Sequence, residues 1–271
     1  MADRGGPLAR ELSVALSLAR AAGEVLLRHR AAGVAVGSKA GGEVVTGADL
    51  EVDRLVRGGL ASAFPGDALL SEETLDDGAR LGRERVWIVD PIDATSDYAT
   101  GGAEHAVSIG LALRGEAVLG VVHNPETGEM MAGVVGAGAW LGDAPAGVTA
   151  ARDVAGARLT VSRKEWGRGV DRLSVGLDVR PVSSVAYKLA RVGVGLDDGT
   201  FSDRPRKEWD VCAGVAIVLA GGGRVSLLDG GPIGFNRAYL RLRQGLVASG
   251  PALHAPLRAE LLRRGVGEGR G

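Results

Sequence analysis

Two carboxylates that follow an apolar run are the side chains best suited to chemistry in this sequence. Residues 86–89 form a continuous apolar segment typical of a strand buried on both faces, and Asp90 and Asp93 come directly after it. Buried carboxylates without partners are unfavourable, and a divalent cation such as Mg²⁺ offsets this cost. Pro91 would aim both carboxylates and the Ile92 carbonyl at one point. An Asx-type turn that caps the next helix is the alternative interpretation.

Acidic side chains at three other places could complete such a site. Glu72 and Glu73 follow a short apolar run, and a solvated loop is the alternative for them. Asp210 precedes an apolar segment with helical character, where it could simply be an N-cap. Thr46 and Asp49 likewise stand at the entrance to a predicted helix. Each pattern is weak evidence for a functional site by itself. The evidence comes from their occurrence together and in this order.

The elements that would position these residues follow from hydrophobic periodicity. Apolar residues recur at helical spacing over 8–30 and 50–60. Alternation from residue 105 to 141, with turn signals inside it, predicts an antiparallel meander. A Gly-rich and Ala-rich loop at 142–156 follows, and then an α/β pattern. Its predicted elements are strands at 159–162 and 173–177 and helices at 184–192 and 211–220.

Composition and charge exclude several classes of partner. Lys plus Arg total 32 and Asp plus Glu total 33, so there is no basic excess of the kind that nucleic-acid binding requires. The longest nearly apolar stretch, 211–223, is too short to cross a bilayer, so no membrane association is expected. One cysteine, Cys212, and no apolar core of a signal peptide within residues 1–10 predict a cytoplasmic location.

Four motifs occur in a fixed order along the chain. They are Val45, Thr46, Ala48 and Asp49; Ser71, Glu72 and Glu73; Trp87, Asp90, Pro91, Ile92, Asp93 and Thr95; and Trp209, Asp210, Ala213 and Gly214. Together they resemble the inositol monophosphatase superfamily, from about residue 10 to about residue 250. Residues 186–190 and the pair Ser162 and Arg163 are similar to its bacterial members, including 3′(2′),5′-bisphosphate nucleotidases. The combination is specific for the superfamily but not for the substrate.

The resemblance implies a role for each matching residue. Thr95, backed by Asp49 and assisted by Glu72, would orient and deprotonate the attacking water. Backbone N–H groups at Ala94 and Thr95 would bind the phosphate at the start of a helix. Two or three Mg²⁺ ions would be held by Glu72, Asp90, Asp93, Asp210 and the Ile92 carbonyl, and the substrate would contact Asp93, Ser184 and Asp210.

The resemblance also implies the architecture. We expect an α/β (α+β) protein with an inositol-monophosphatase-like layered αβαβα sandwich. An antiparallel sheet would lie in an N-terminal half, residues 1–145, which carries most of the metal ligands. A smaller α/β sheet would lie in a C-terminal half, residues 146–271, which carries Asp210 and the loops facing the substrate. Relatives of this kind imply a homodimer.

Four positions depart from the family pattern. Ala94 and Ser183 replace glycines, Asp97 stands where Asn or a similar residue is usual, and Tyr98 stands where Phe is usual. Asp97 adds a negative charge near a site for anions, where it could bind a cation or a substrate hydroxyl. These departures affect the identity of the substrate more than the reaction.

Two classes of function remain open. The first is a Mg²⁺-dependent phosphatase acting on a small phosphorylated metabolite: a cyclitol or sugar phosphate, a 3′-phosphorylated nucleotide, or an aminated sugar or nucleoside phosphate. Arg163, Lys164, Arg180 and Lys188 could meet a second phosphate, although such residues are mostly solvated. The second class is a non-catalytic protein that binds a phosphorylated ligand, and the retained carboxylates and Thr95 argue against it.

Overall fold

The structure, a computed structural model, describes residues 6–34, 36–38 and 44–267. Residues 1–5, part of the N-terminal stretch considered above, therefore lie outside the description. A 3₁₀ turn at Gly6–Leu8 precedes the first helix, a second lies at Ala79–Gly82, and a π turn at Trp166–Val170 joins two short helices. The helices are α1 (Ala9–Ala32), α2 (Gly47–Ala63), α3 (Thr95–Ala99), α4 (Arg163–Glu165), α5 (Asp171–Leu173), α6 (Val185–Gly193), α7 (Glu208–Ala220) and α8 (Pro251–Arg263).

Fourteen strands form three sheets in the described ranges, and the smallest sheet is the β1–β2 hairpin. The strands are β1 (Val36–Ser38), β2 (Val44–Thr46), β3 (Ala68–Ser71), β4 (Arg85–Asp93), β5 (Ala106–Leu113), β6 (Glu116–Asn124), β7 (Glu129–Val134), β8 (Gly138–Leu141), β9 (Ala144–Ala146), β10 (Leu159–Ser162), β11 (Val179–Val182), β12 (Gly199–Phe201), β13 (Arg224–Leu227) and β14 (Leu246–Ser249).

The large sheet has seven strands in the order β3-β4-β5-β6-β7-β8-β9. Only β3 and β4 pair in parallel, and all the other neighbours are antiparallel, which confirms the predicted meander. The second sheet has five strands in the order β11-β10-β12-β14-β13 and mixes parallel with antiparallel pairs. Strand β9 belongs to the seven-stranded sheet and contains residue 145. The division of the chain into halves at residues 145 and 146 therefore stays a prediction.

The helices separate these sheets into five layers. Helices α1 and α2 pack on one face of the seven-stranded sheet, and α6 and α7 pack on its other face. The same α6 and α7 also pack against the five-stranded sheet, whose far side is covered by α8. This arrangement is the predicted αβαβα sandwich. Helix α7 is apolar nearly all round because it is buried between two sheets.

Small residues let α7 approach the large sheet closely. A Cβ at Gly120 would lie 2.0 Å from the carbonyl oxygen of Ala213, and one at Gly110 would lie 2.7 Å from the sulfur of Cys212. Neither position tolerates a side chain, so the helix rests directly on the backbone of β5 and β6. This contact fixes the N-terminus of α7, and with it Asp210, relative to the end of β4.

One predicted element is wrong. Residues 173–177 were expected to form a strand, but they form the end of α5 and a turn in which Gly176 has a φ of 80°. Leu173 and Leu177 pack against the core beside α8, so their apolar character reflects packing rather than strand pairing. The neighbouring strand of the sheet is β11, which begins at Val179. Among the described residues, no helix is long and apolar enough to cross a membrane.

Candidate active site

The carboxyl end of β4 forms the centre of the site. A bulge between Asp90 and Asp93 breaks the pairing with β5, and the backbone N–H of Ile92 donates to Asp90 Oδ1 at 3.1 Å. Ala94 follows in the left-handed region, with φ 76° and ψ 48°, and α3 begins at Thr95. The chain therefore turns sharply between the last strand residue and the first helical one.

Ala94 carries a strain that glycine would not. Left-handed backbone costs an L-residue about 1–2 kcal/mol, and glycine costs about 0.4–1 kcal/mol in unfolded-state entropy. We therefore expect Ala94→Gly to raise the free energy of unfolding by roughly 0.5 kcal/mol, measured by urea denaturation, and to preserve or raise the activity that the resemblance implies. Ala99→Gly, within α3, should instead destabilise the protein. A large loss of activity in Ala94→Gly would show that the Ala94 methyl group has a role of its own.

Asp49 and Thr95 lie next to each other. Asp49 is buried in the first turn of α2, where its Oδ2 accepts from the backbone N–H and the hydroxyl of Thr46 at 2.6 and 2.7 Å. Its other oxygen, Oδ1, lies 3.1 Å from Thr95 Oγ1, which also lies 3.0 Å from the carbonyl oxygen of Ile92. The capping box at Thr46 thus holds the Asp49 carboxylate against the Thr95 hydroxyl.

Asp93 connects the large sheet to α6. Its Oδ2 accepts from the hydroxyl of Ser184 at 2.8 Å and from the backbone N–H of Ala186 at 2.6 Å. Ser184 is fully buried and is the N-cap of α6, where it also accepts from the backbone N–H of Tyr187. The structure therefore shows Ser184 orienting Asp93, while its contact with the substrate stays a prediction.

Asp210 enters the site from the first turn of α7. The N-cap of that helix is Lys207, not Asp210, and the Asp210 carboxylate accepts from the backbone N–H of Lys207 at 2.9 Å. The alternative interpretation, in which Asp210 caps α7, is therefore partly correct. Asp210 takes part in capping the helix, but it does so from the third helical position and is not the N-cap residue. Glu72 lies just beyond β3, where its N–H donates to the carbonyl oxygen of Val89 on β4 at 3.2 Å.

The electrostatics show that these acidic groups lie close together. Burial raises the pKa of Asp90, and the charges of Glu72, Asp93 and Asp210, with a hydrogen bond between Glu72 and Asp90, raise it further. Burial also raises the pKa of Asp93, against the hydrogen bonds from Ala186 and Ser184. Burial and the charge of Asp93 raise the pKa of Asp210 to about 7. The fold thus gathers acidic groups that disfavour one another's ionisation.

The chemistry of these donors fits a hard divalent cation. All of them are oxygen atoms, which Mg²⁺ prefers, and a dication would relieve the repulsion between the carboxylates. In the part of the chain that the structure describes, no three of these side chains converge on one point as the ligands of an ion do. Glu72 and Asp90 share a hydrogen bond instead. These residues therefore fit a magnesium site by the type of their donor atoms and by their proximity to one another.

Arg206 is a residue of the site that the sequence did not reveal. Its positive charge opposes the rise in the pKa of both Asp93 and Asp210. The guanidinium is held by Glu165 at 2.6 Å and by the hydroxyl of Ser202 at 2.8 Å. It stands in a charged loop, 203–207, and no pattern in the sequence distinguished it from its neighbours.

Two of the departures from the family pattern contact each other. The Asp97 carboxylate accepts from the Ser183 hydroxyl at 2.9 Å and from the backbone N–H of Glu104 at 2.8 Å. A Cβ at Gly102 would lie 2.3 Å from the same carboxyl group, so Asp97 is enclosed by its own loop. Tyr98 is buried and donates its hydroxyl to the carbonyl oxygen of Leu26 at 2.8 Å.

Three of the four cations considered for a second phosphate already have partners in the protein, and the fourth, Lys164, is exposed. Lys188 is fully buried and donates to the carbonyl oxygen of Phe201 at 3.0 Å, and burial lowers its pKa to about 7. The suggestion that Lys188 could meet a phosphate is therefore wrong, and so is the solvated alternative, because the side chain lies in the interior. Arg163 and Arg180 are half-exposed, and both pair with Glu104.

Comparisons with known proteins agree with this geometry. A sequence model described as "Inositol monophosphatase family" matches residues 8–265. An inositol-1-monophosphatase of Mesorhizobium japonicum is 32% identical over 233 residues, 81% of this chain and 86% of that protein. A 3′-phosphoadenosine 5′-phosphate phosphatase of Mycobacterium bovis is 35% identical over 199 residues, 70% and 71% of the two chains. The solved structure of a Thermotoga maritima IMPase has a TM-score of 0.82 at 25% identity, covering 94% and 98%. The chain belongs to the inositol monophosphatase family and is a phosphoric monoester hydrolase.

Proposed function

We propose that the chain is a Mg²⁺-dependent phosphatase that hydrolyses a small phosphate monoester by attack of an activated water molecule. The observation that carries the proposal is the gathering of mutually repelling acidic side chains, from two adjacent strands of the large sheet and from α7, at the end of β4. When bound, Mg²⁺ supplies a nucleophilic water at neutral pH and neutralises charge on the attacking and leaving oxygens. The ligands of two or three ions would be Glu72, Asp90, Asp93, Asp210 and the Ile92 carbonyl.

Thr95 and Asp49 would together accept the proton that the attacking water loses. Thr95 Oγ1 is placed to donate its hydrogen to Asp49 Oδ1 at 3.1 Å and to accept one from the attacking water. Asp49 would take up the proton of the water as the new phosphorus–oxygen bond forms. When the ester phosphorus–oxygen bond breaks, the departing alkoxide would take a proton from solvent and leave as the alcohol. The capping box with Thr46 keeps the Asp49 carboxylate in the required orientation. Glu72 would assist by orienting the same water.

The phosphate would bind where the chain turns into α3. Backbone N–H groups at Ala94 and Thr95 stand at the start of the helix, next to the bulge that carries Asp90 and Asp93. The substrate beyond the phosphate would contact Asp93, Asp210 and Ser184. Positioning and neutralisation of charge are the main requirements of phosphoryl transfer, and these groups supply both.

The substrate class is a small phosphorylated metabolite. A 3′-phosphorylated nucleotide is a second candidate, favoured by the 35% identity to a 3′-phosphoadenosine 5′-phosphate phosphatase. A specialised amino-sugar or nucleoside phosphate is the third. We further propose that the protein is a homodimer located in the cytoplasm, with neither nucleic-acid polymer nor membrane as a partner.

A panel of substrates tests this function. Phosphate release would be measured with and without Mg²⁺ from inositol 1-phosphate, 3′-phosphoadenosine 5′-phosphate, fructose 1,6-bisphosphate, AMP, histidinol phosphate and an amino-sugar phosphate. We expect Mg²⁺-dependent release from at least one of them, which also identifies the substrate group. Release that is equally fast in excess EDTA would contradict the metal dependence. Binding of metal and phosphorylated ligands without turnover would support the non-catalytic alternative.

The raised pKa values predict a dependence of stability on pH. A carboxyl whose pKa is higher in the folded than in the unfolded state favours folding below its unfolded pKa. That stability is lost as the pH rises through the folded pKa. For Asp210 this window runs from about 4 to about 7. We therefore expect the metal-free protein to lose stability across this window, so that it is less stable at pH 8 than at pH 5, and Mg²⁺ to raise the Tm more at pH 8 than at pH 5.

Thermal unfolding with and without Mg²⁺ at both pH values measures this effect. Asp210→Asn, which removes one of the titrating carboxyl groups and leaves Asp90 and Asp93, should weaken the dependence and serves as the matched control. An increase in Tm from Mg²⁺ that is equal at pH 5 and pH 8 would contradict the assignment of these carboxylates as ligands.

A further inference from the structure

A buried arginine outside the site links two of the segments that carry its carboxylates. Arg80 is only 2% exposed and lies in the 3₁₀ turn after the Glu72 segment. Its guanidinium forms a two-point contact with Asp76, with Nε to Oδ1 at 3.1 Å and a terminal nitrogen to Oδ2 at 2.7 Å. Asp76 is four residues after Glu72. The arginine therefore closes the loop that follows Glu72.

The same guanidinium reaches a loop from the other end of the chain. It donates to Asn236 Oδ1 at 2.8 Å and to the carbonyl oxygen of Arg237 at 2.9 Å. The side-chain amide of Asn236 donates back to the carbonyl oxygens of Arg80 and Arg83, each at 3.1 Å. Asn236 has a φ of 57°, a conformation that asparagine tolerates better than most residues. Four hydrogen bonds thus fix the two loops to each other.

The second loop is in turn fixed to α7. The backbone N–H groups of Asn236 and Arg237 donate to the two carboxylate oxygens of Glu208, at 2.7 and 2.9 Å. Glu208 is 1% exposed and is the first residue of α7, two positions before Asp210. A continuous chain of hydrogen bonds therefore runs from Asp76 through Arg80 and Asn236 to the helix that carries Asp210.

We infer that Arg80 is a positioning residue that sets the affinity of the site for Mg²⁺, an inference that rests on the proposed function. Glu72 follows a strand of the large sheet, and Asp210 begins the helix between the sheets. Their negative charges repel, so the spacing of the two carboxylates needs an external restraint. Arg80, bonded on both sides and shielded from water, supplies this restraint without touching substrate or metal.

Arg80→Met tests the inference because it keeps an unbranched apolar stem and removes the guanidinium with its hydrogen bonds. Mg²⁺ binding to the full chain would be measured by calorimetry, alongside thermal unfolding without metal. We expect the Kd for Mg²⁺ to rise about tenfold, as for other residues that support metal ligands. Activity should recover at saturating Mg²⁺, because the catalytic groups themselves are intact.

Arg85→Met is the matched control. Arg85 is also partly buried and bonds two carboxylates, those of Asp67 and Glu11, but it lies at the opposite end of β4 from Asp90. The Arg85→Met variant should have a lower Tm than the wild type, and its Kd for Mg²⁺ should change less than twofold. If Arg80→Met does not fold, Asn236→Ala removes one link of the chain and should raise the Kd severalfold.

The outcomes separate this inference from the proposed function. A Kd for Mg²⁺ within twofold of the wild type in Arg80→Met, or in Asn236→Ala where the first variant does not fold, would overturn the positioning role and leave the phosphatase assignment standing. A wild-type protein that binds no Mg²⁺ would overturn both. A higher Kd in the Arg80 or Asn236 variant, with the control unchanged, would support the inference.

Discussion

Asp90→Asn is expected to abolish Mg²⁺-dependent phosphate release while leaving the fold intact. Asp90 is 2% exposed, and burial together with neighbouring acidic groups raises its pKa. Asparagine has the same shape and retains the oxygen that accepts from the Ile92 N–H, but it lacks the charge that would bind the cation. We expect a fall in kcat/KM of at least about a hundredfold, since loss of groups that merely support ligands already costs about 10–100-fold.

The stability of the same variant provides an independent check. Removing one of several repelling carboxylates should leave the Tm of the metal-free protein unchanged or higher, and should abolish most of the increase that Mg²⁺ causes. Asp198→Asn is the control, because Asp198 is 8% exposed and is bonded to Arg158 away from the site. It should lower the Tm and keep the activity. Normal turnover in Asp90→Asn, or in the companion variant Asp93→Asn, would refute the metal assignment.

Thr95→Val is expected to have a second large effect. The change keeps the shape of the side chain and removes the hydroxyl that lies 3.1 Å from Asp49 Oδ1. A positioned proton acceptor typically contributes about 10²–10⁴-fold, so we expect kcat to fall by about that factor. The affinity for Mg²⁺, measured by calorimetry, should change little, because the Thr95 side chain is not among the assigned ligands.

Two further variants identify the role of the hydroxyl. Thr95→Ser restores it and should recover most of the rate. Asp49→Asn should resemble Thr95→Val, and the double variant should be no worse than the more impaired single one, since both groups act in one proton transfer. Additive losses in the double variant would mean that Asp49 and Thr95 act separately.

Local patterns in the sequence were sufficient to predict the parts of the site that lie on single elements. The apolar run before Asp90 predicted a buried strand, and β4 contains this run and continues to Asp93, with both aspartates buried. Thr46 and Asp49 predicted a helix entrance, and they form the capping box of α2. These predictions succeeded because strand burial and helix capping depend on residues that are neighbours in sequence.

The parts that sequence reasoning missed depend on contacts between distant residues. Arg80 and Asn236 are 156 residues apart, and nothing near either of them indicates that they meet. Lys188 looked like a surface cation, yet the packing of α6 between two sheets places it in the interior. Residues 173–177 looked like a strand because their apolar side chains contact the core beside α8. In each case tertiary packing overrode a local pattern.

The assignment of the metal ligands is tested most directly by crystals grown with Mn²⁺ and orthophosphate, using anomalous diffraction to locate the ions. We expect at least two anomalous peaks at the end of β4, bounded by Glu72, Asp90, Asp93 and Asp210, with phosphate between them and the start of α3. Peaks located elsewhere on the protein, with these four carboxylates free of metal at saturating Mn²⁺, would contradict the account.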